Sequence, residues 1–410
     1  MKTSIMVLAL LSSGTTFAHA PQPDSNSIKA VYADLSLLKQ ANIPTLFADD
    51  RINVGYAVIN GNMEQRLSEL AHLRGRCGNY EALSEIPNDI NIVKNNFDSL
   101  NKSLNQSISY SLLGTNQVSV VANEKIVNAL TELKSENIKT TVAILSANPT
   151  RYNKAPEPNK PIENFLANSI IPIIQSAAFS ITAELVAHKS TPQKSIRVSI
   201  KGSTKPDEII VLGGHIDSIN GWGGTGRAPG ADDNASGSAS LLEALRVLTT
   251  QKQPQRTVEF YWYAGEESGL LGSAEIAKAY KAQSKNVVAV LQLDMTMFPG
   301  DGVFKIASIN DFTSPWLRDY LKAINATYLN VEIMDDQCGY GCSDHASWHR
   351  QGYPALMPTE AKFNSMFKYL HTDKDVISPI MSFEHSLVFS KIALIMAMDL
   401  GNSAQRETLF

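Results

Sequence analysis

Short apolar runs alternate with stretches of helical periodicity from about residue 116 onward. The runs lie at 209–213, 257–264, 287–293 and 303–307. They are rich in Val, Ile and aromatic residues, which is typical of short, largely buried strands. The clearest amphipathic stretch, at 236–248, brings several leucines onto one face. This alternation predicts an α/β fold in which helices sandwich a mixed, mostly parallel central sheet.

Composition limits the partners of the chain. Its 410 residues, 43% hydrophobic and 19% charged, are enough for one large domain and a smaller one. The net charge of -4 provides no basic field for nucleic acid or an anionic membrane. After the N-terminus, no stretch is both long and apolar enough to span a bilayer. We therefore expect neither nucleic acid nor a membrane as a partner.

Residues 1–20 have the order of a secretory signal peptide. Lys2 precedes an apolar run, and small residues end at Ala18-His19-Ala20. We expect cleavage after Ala20 or Ala18. Ala18 is the alternative because Pro21, directly after Ala20, is a poor residue to follow a cut. We predict that the mature protein is secreted or periplasmic, and a retained N-terminal membrane anchor is the alternative.

The three cysteines suit an oxidising compartment if two of them pair. Cys338 and Cys342 enclose a Gly-Tyr-Gly triplet, and its glycines give so short a loop the freedom to close. We predict a disulfide that shapes the loop around Tyr340, since so short a loop removes little chain entropy. Two free thiols are the alternative. Cys77 is left over, and we interpret it as a buried thiol.

Side chains that suit a metal site stand at the ends of three apolar runs. His215 follows the first run, and the pair Glu266 and Glu267 follows the second. Asp294 closes the third. Ligands of such sheets bind where the carboxyl ends of the strands open into loops, so these side chains are expected to meet. Asp217 can accept the other N–H of the His215 ring and so hold its tautomer.

Asp233 and His371 complete the candidate set from two loops. An Asp before a helix is by itself more often a cap, but Asp232, Asp233 and Asn234 together exceed what a cap requires. His371 follows a polar turn and says nothing alone.

Two imidazoles and three carboxylates suit a pair of divalent cations such as zinc, with one carboxylate shared. The candidate ligands are His215, Asp233, Glu267, Asp294 and His371. Glu266 is a spare carboxylate, and two adjacent buried carboxylates are costly unless a cation or a shared proton offsets them. A spare Glu is also suited to activate water between the two cations. The set indicates a hydrolase.

Other hydrolase motifs are missing from the sequence. There is no Gly-x-Ser-x-Gly elbow and no His-Glu-x-x-His helix. His345 and His349 are four residues apart but lack the Glu of the latter motif. We interpret both as structural and expect Ser343 to cap their helix.

Five motifs then occur in a characteristic order. They read GGHIDS at 213–218, APGADDNASG at 228–237, AGEE at 264–267, LQLDM at 291–295 and CGYGCSDH at 338–345. In order and spacing the chain resembles the secreted bacterial leucyl aminopeptidases of peptidase family M28, which are co-catalytic dizinc enzymes. The similarity covers nearly everything after about residue 116.

The resemblance implies two zinc ions per chain. Asp233 would bridge them, and it is preferred over Asp232 because the family ligand stands three residues before the Ser of the Ser-Gly pair. One zinc would take His215 and Asp294. The other would take Glu267 and His371.

The resemblance also implies the roles of three further residues. Glu266 would be the general base that takes a proton from the bridging water and passes it to the leaving amine. Tyr340 and the backbone N–H of Ser343 would hold the oxyanion. The free α-amino group of a peptide or protein N-terminus would dock on a zinc, so residues would be removed singly.

The pocket for the first substrate residue is implied less directly. In relatives its wall includes positions that correspond here to Met295, the Cys338 to Cys342 loop and the segment 357–371. Within this wall we select Met295, Met357, Phe363 and Leu370. Thr359 and Met366 replace aromatics of closely related enzymes, so the pocket is expected to be wider or differently shaped. We predict a preference for large apolar first residues such as Leu, and a monomer.

Residues 21–115 contain a helix-like run at 62–74 and Asn- and Ser-rich punctuation at 95–109. No cluster of His, Asp and Glu with ligand spacing occurs there. We predict a propeptide that acts as an intramolecular inhibitor or folding aid, followed by the catalytic domain at 116–410. A permanent accessory domain is the alternative, because the sequence marks no definite processing site.

Two other functional classes remain open. Carboxypeptidases and single-zinc glutaminyl cyclases share the fold and several ligands. A non-catalytic binding ectodomain is the other alternative. The complete set of ligands with the spare Glu266 favours the aminopeptidase.

Overall fold

The structure is a computed structural model that describes residues 28–50, 53–73, 80–83, 86, 91, 118–221 and 226–402. The predicted signal peptide, Cys77 and the segment 95–109 lie outside the described residues. None of the helices in the described ranges combines the length and the apolar character needed to cross a membrane.

The described part of the N-terminal region forms a four-stranded sheet in the order β2-β3-β1-β4. Its elements are β1 (Ile28–Asp34), α1 (Leu35–Gln40), β2 (Phe47–Asp49), β3 (Val54–Asn60), α2 (Gly61–Leu73) and β4 (Tyr80–Ala82). All its strand pairs are antiparallel. Asp34 caps α1 by accepting the N–H of Leu37 at 3.0 Å. We call these elements the N-terminal sheet.

A six-stranded central sheet positions the candidate site. Its strands are β5 (Ile181–Val186), β6 (Ser195–Ile200), β7 (Lys205–His215), β8 (Arg256–Tyr263), β9 (Asn286–Gln292) and β12 (Ala355–Leu356). In the order β12-β9-β7-β8-β6-β5 the first four strands are parallel, and β6 and β5 add antiparallel pairs. A three-stranded sheet contains β10 (Lys305–Ile309), β11 (Glu332–Asp336) and β13 (Pro358–Thr359).

Helices flank the central sheet. They are α3 (Glu124–Thr131), α4 (Ser135–Ser146), α5 (Lys160–Phe165), α6 (Ile171–Gln175), α7 (Gly237–Leu248), α8 (Leu271–Ala282), α9 (Pro315–Ile324), α10 (His345–Arg350) and α11 (Phe383–Asp399). The main core lies among α7, α11 and the sheet, with α10 and α8 contributing to a second cluster against β7 and β9. The predicted α/β fold class is confirmed.

Three of the four predicted strands agree closely with β7, β8 and β9. The start of the fourth was wrong. Val303 is 50% and Phe304 46% exposed, and Phe304 has a φ of 65° in a turn before β10 begins at Lys305. Apolar character alone therefore placed the start of this strand too early, and the strand lies in the smaller sheet.

The predicted helix 236–248 corresponds to α7, which begins at Gly237 after a kinked helical turn, Ala231–Ser236. Oδ1 of Asn234 accepts the N–H of Gly237 at 3.0 Å, and Ser236 Oγ donates to the carbonyl of Asp232 at 2.7 Å. These bonds fix the loop that carries Asp233 against the start of the helix.

Candidate metal centre and active site

The candidate ligands come together at the carboxyl ends of three neighbouring parallel strands. His215 is the last residue of β7, and Asp294 lies two residues beyond β9. Glu266 and Glu267 stand in a 3-10 turn, Glu266–Ser268, three residues after β8. Since β7 lies between β8 and β9, His215 is flanked by acids from both sides. The sheet order therefore explains why residues distant in sequence meet.

Asp233 lies between two imidazoles and presents a different oxygen to each. Its Oδ1 is 3.0 Å from Nε2 of His215, and its Oδ2 is 2.9 Å from Nε2 of His371. The same His215 nitrogen is 3.1 Å from Oδ1 of Asp294, and that of His371 is 3.1 Å from Oε2 of Glu267. Each half of the site thus contains one imidazole, one carboxylate of its own and one oxygen of Asp233.

The donor set fits two divalent cations. One ligand atom each from His215, Asp233 and Glu267 all lie within 4.8 Å of one another, and the three residues are buried. The imidazoles lower the pKa of Asp233 below its ordinary value although burial opposes this. Burial raises the pKa of Glu267 to about 7. Positive charge between these groups would offset the cost of burying them.

Glu266 is fully buried, and neither of its carboxylate oxygens has a hydrogen-bond partner among the described residues. Burial raises the pKa of this carboxyl well above its ordinary value. An apolar side chain would be less costly at this buried position than a carboxylate without a hydrogen-bond partner. Packing therefore does not explain why a glutamate stands beside the candidate metal ligands. Glu266 is therefore available for chemistry.

Asp217 connects the two sides of the site. Its oxygens accept the backbone N–H groups of Glu266 at 3.1 Å and Glu267 at 3.2 Å. Nδ1 of His215 lies 3.5 Å from Oδ1 of Asp217, which is longer than a good hydrogen bond. In this geometry Asp217 holds the turn that carries Glu266 more firmly than it holds the ring of His215.

Asp232 and Asp233 face different partners although they are adjacent. Oδ1 of Asp232 accepts the N–H of Met297 at 3.2 Å, whereas the oxygens of Asp233 face the two imidazoles. Asp375 accepts the backbone N–H groups of Asp232 at 2.9 Å and of Asp233 at 3.0 Å. Asp375 thereby fixes the direction of the Asp233 backbone, a role that the sequence did not suggest.

Arg151 is a second residue that sequence reasoning missed. It is 1% exposed, and its guanidinium donates to the carbonyl oxygens of Ile216 at 2.8 Å and Gly230 at 2.9 Å. The loops after His215 and before Asp233 are thus joined by one side chain. Burial lowers the pKa of Arg151 to about 10, and the nearby acids oppose this. Arg151 lies in no recognisable motif. Its four acceptors are backbone carbonyls, whose position next to Arg151 depends on the fold.

The predicted disulfide between Cys338 and Cys342 is present. Ser343, which follows it, was predicted to cap α10, and this is wrong. Its Oγ donates instead to Oδ2 of Asp294 at 2.6 Å, while Asp344 occupies the cap position without a side-chain bond. The hydroxyl donates to a charged carboxylate, and such hydrogen bonds are stronger than those between neutral groups, such as a Ser cap on a helix N–H.

Gln292 strengthens the connection between the disulfide loop and the site. Its Nε2 donates to Ser343 Oγ at 3.0 Å and to Oδ2 of Asp344 at 2.9 Å. Tyr340, in the loop itself, is 3% exposed and packs with Ile309 and the two cysteines. The loop is thus anchored to the end of β9 beside the candidate ligands.

The four predicted pocket residues belong to two adjoining apolar clusters. Met295 and Leu370 lie in the main core cluster, and Met357 lies with Tyr340 and the disulfide. Phe363 packs against both clusters. Of the four, Phe363 is the side chain that links the two clusters.

His345 and His349 lie outside the ligand group. Nε2 of His345 is 3.1 Å from the carbonyl oxygen of Asp311, and the ring of His349 meets that of Phe312 edge-on. Both positions agree with a structural role.

Comparison with known proteins identifies the class first. A crystal structure of the LapA aminopeptidase of Legionella pneumophila matches with a TM-score of 0.75 at 27% identity, covering 92% of this chain and 99% of that chain. A Saccharomyces cerevisiae protein named as a probable aminopeptidase is 36% identical over 69% of this chain and 77% of its own length. Leucine aminopeptidase 1 of Trichophyton equinum is 39% identical over 65% of this chain and 74% of its own length.

The fold is similar to that of the LapA aminopeptidase. The sequence pattern of peptidase family M28 matches residues 195–403, about half of the chain. The chain belongs to peptidase family M28, and the prediction that it is an enzyme of this family is confirmed.

Proposed function

We propose that this protein is a metallo-aminopeptidase that removes single residues from the N-termini of peptides with two divalent cations, zinc at both positions. The observation that carries the proposal is the placement of Asp233, one oxygen of which faces His215 and the other His371. A carboxylate placed between two separate ligand groups is typical of a bridged pair of cations. Its relatives are named as aminopeptidases, which supports the direction of attack.

The roles of the residues follow from their chemistry. Glu266 is the general base: it takes a proton from the attacking water and delivers it to the departing amine. Asp217 holds the turn on which Glu266 stands. Tyr340 and the backbone N–H of Ser343 stabilise the oxyanion of the tetrahedral intermediate. When bound, the cations would supply Lewis acidity that polarises the carbonyl and lowers the pKa of water.

The apolar character of Met295, Met357, Phe363 and Leu370, which belong to or pack against two apolar clusters, supports a preference for a large apolar first residue. Of these four, Met295 and Met357 are fully buried and Leu370 is 6% exposed. An aliphatic side chain that entered here would gain about 25 cal/mol for each Å² of apolar surface removed from water. A lysine ammonium would lose hydration without an opposite charge from these four side chains.

The first test is Glu266→Gln, assayed on a leucyl amide with a free amine, its N-acetylated form and a lysyl amide. We expect the wild type to cleave the free leucyl substrate best, to spare the acetylated one and to stop with a chelator. The variant should keep both metal ions, counted by elemental analysis, because every ligand remains. Its turnover should fall by about 100-fold to 10,000-fold, since base catalysis is lost.

Glu136→Gln is the matched control, because the Glu136 side chain is 81% exposed. It should leave turnover and metal content unchanged. Near wild-type turnover in Glu266→Gln would show that another group is the base. One metal ion per chain, with cyclisation of an N-terminal glutamine in place of hydrolysis, would favour the cyclase alternative. Export and the cleavage of residues 1–20 stay predictions.

A further inference from the structure

The N-terminal sheet contacts the turn that carries the proposed base, Glu266. The N–H of Ala82 in β4 donates to the carbonyl of Gly269 at 3.2 Å. Gly269 ends the turn that carries Glu266 and Glu267, and its φ is 104°. A Cβ at Gly269 would lie 2.8 Å from the Tyr80 ring and 2.9 Å from the Ala82 nitrogen. The sheet therefore packs against the backbone of the turn itself.

A second contact reaches the disulfide loop. Glu81 of β4 forms an ion pair with Arg350 at the end of α10, and the two side chains are 6% and 14% exposed. A Cβ on Gly341, between Tyr340 and Cys342, would be 3.1 Å from Nη2 of Arg350 and 3.4 Å from Oε2 of Glu81. The pair thus lies against the loop that carries the proposed oxyanion residue Tyr340.

Arg350 is held from both parts of the molecule. Its guanidinium lies 5.2 Å from the centre of the Tyr32 ring in the N-terminal sheet and 4.5 Å from that of Phe312 in the catalytic part. Burial raises the pKa of Glu81 and the positive charge of Arg350 opposes this shift. If one partner of such a buried pair is removed, the other is left as an uncompensated buried charge, which is destabilising.

The surrounding interface is apolar. Residues of the N-terminal sheet share one buried cluster with residues that flank the site. The cluster contains Ala30, Tyr32, Val54, Tyr56, Leu270, Phe312 and Ala346. Leu270 directly follows Gly269, and Ala346 lies in the first turn of α10. Removal of the sheet would expose these side chains to water beside both catalytic segments.

We infer that the N-terminal sheet is a permanent part of the active enzyme, and that Glu81 and Arg350 are positioning residues for the Glu266 turn and the Tyr340 loop. This inference rests on the proposed function and favours an accessory domain over a removable propeptide. The LapA match supports it, because that alignment covers 92% of this chain, more than residues 116–410 comprise. The LapA chain in that crystal therefore contains a counterpart of this region.

The test uses the full chain with Glu81→Gln, Arg350→Gln and the double variant. We expect kcat on the leucyl amide to fall by about tenfold to a hundredfold in each, with KM and metal content near wild type, because the base and the oxyanion residue are misplaced while the ligands remain. The double variant should lose no more than the worse single variant, since the two residues act as a unit. Unchanged or increased kcat in Glu81→Gln would overturn the inference, and an increase would show that the sheet inhibits.

Asp50→Asn is the matched control. It makes the same change of acid to amide in the same region, but its ion pair with Lys39 has side chains that are 80% and 64% exposed. We expect wild-type kcat. Hydrogen exchange of the segments 264–272 and 338–346 is a second readout that needs no activity. Exchange should rise in both segments for Glu81→Gln and not for the control, and equal exchange would contradict the positioning role.

The mass of the natural, active enzyme shows whether the N-terminal sheet is retained. Intact mass of the purified active enzyme should include residues 28–83. Fully active chains that begin near residue 116 would overturn the inference. If wild type binds metal but cleaves no aminoacyl amide, the proposed function fails, while the exchange measurement still decides whether the sheet orders the two segments.

Discussion

His345 is a buried imidazole that must stay neutral. Its Nε2 lies 3.1 Å from the carbonyl oxygen of Asp311, so the ring carries its proton on this nitrogen. Burial lowers the pKa of His345 from 6.5 to about 3. The unfolded chain therefore binds a proton here at a pH where the folded chain does not. The contribution of His345 to the free energy of unfolding is fully present above its pKa in the unfolded chain. It declines as the pH falls toward its pKa in the folded protein.

His345→Gln tests this assignment, because Gln keeps an N–H donor for Asp311 but does not titrate. Between pH 6.5 and about 3, His345 should make the free energy of unfolding of the wild type fall with acidification. The contribution is up to about 1.4 kcal/mol per pH unit. Urea unfolding of both proteins over this window should show a shallower pH slope in the variant. Effects of pH on metal binding are common to both proteins, so equal slopes would contradict the prediction.

Three of the candidate ligands were predictable from sequence because an acid or histidine at the tip of a buried strand needs a partner. His215, Glu267 and Asp294 carry this signal, and Asp233 was separated from Asp232 only by its distance from the Ser-Gly pair. Arg151 carries no such signal. It follows no strand, and its acceptors are backbone carbonyls as far away as Gly230. A role made of contacts with distant backbone atoms is visible only after the fold is known.

At the scale of elements, the start of α7 is pressed against the end of β9. A Cβ at Gly237 would overlap the carbonyl oxygen of Leu293 and Oδ1 of Asn234. The same carbonyl accepts Nδ2 of Asn234 at 2.9 Å. The segments that carry Asp233 and Asp294 therefore meet at a glycine, where no side chain can be accommodated without movement.

Gly237→Ala should separate these two segments. We expect a loss of about 1–3 kcal/mol in the free energy of unfolding from overpacking. We also expect weaker metal binding, because Asp233 and Asp294 would move apart. Calorimetric titration of the metal-free protein with zinc measures metal binding, and scanning calorimetry measures stability.

Gly401→Ala serves as the control, because its Cβ would overlap a backbone carbonyl, that of Ala397, at the end of α11. It should lose stability but keep zinc affinity. If both variants bound zinc equally, the contact at Gly237 would have no part in positioning the ligands.

The strands around the site were predictable because each is buried and apolar over most of its length. The N-terminal sheet was not. Its strands β2 and β4 span only Phe47–Asp49 and Tyr80–Ala82, too short for a period to be seen. The pairing of β4 with β1 joins residues far apart in the chain, such as Val31 and Ala82. A helix-like run at 62–74 was the stronger local signal.

For the whole molecule, the site concentrates negative charge in the interior. Asp217, Asp233, Glu266, Glu267 and Asp294 are each no more than 5% exposed. Arg151 is a buried cation that acts on several of them. Carboxylates packed this closely repel one another unless cations or protons neutralise them.

Metal removal should therefore lower stability as well as activity. We expect the melting temperature to fall on chelation and to rise with the logarithm of zinc concentration above the dissociation constant, because binding at a hundredfold excess adds about 2.7 kcal/mol to the free energy of unfolding. Scanning calorimetry with and without chelator measures the change. Chelator already saturated with zinc is the control. An unchanged melting temperature in a fully metal-free protein would show that the buried acids are neutralised by other means.

The shared position of Asp233 has an evolutionary consequence. Replacement of His371 or Glu267 damages one half of the site and leaves His215 with Asp294 on the other side. Replacement of Asp233 damages both halves in one step. With the proposed pair of cations, a lineage that keeps only one of them can lose the outer ligands of the other half, but it has to keep position 233. Among descendants of this chain, that aspartate should change later than the outer ligands of the half that is lost.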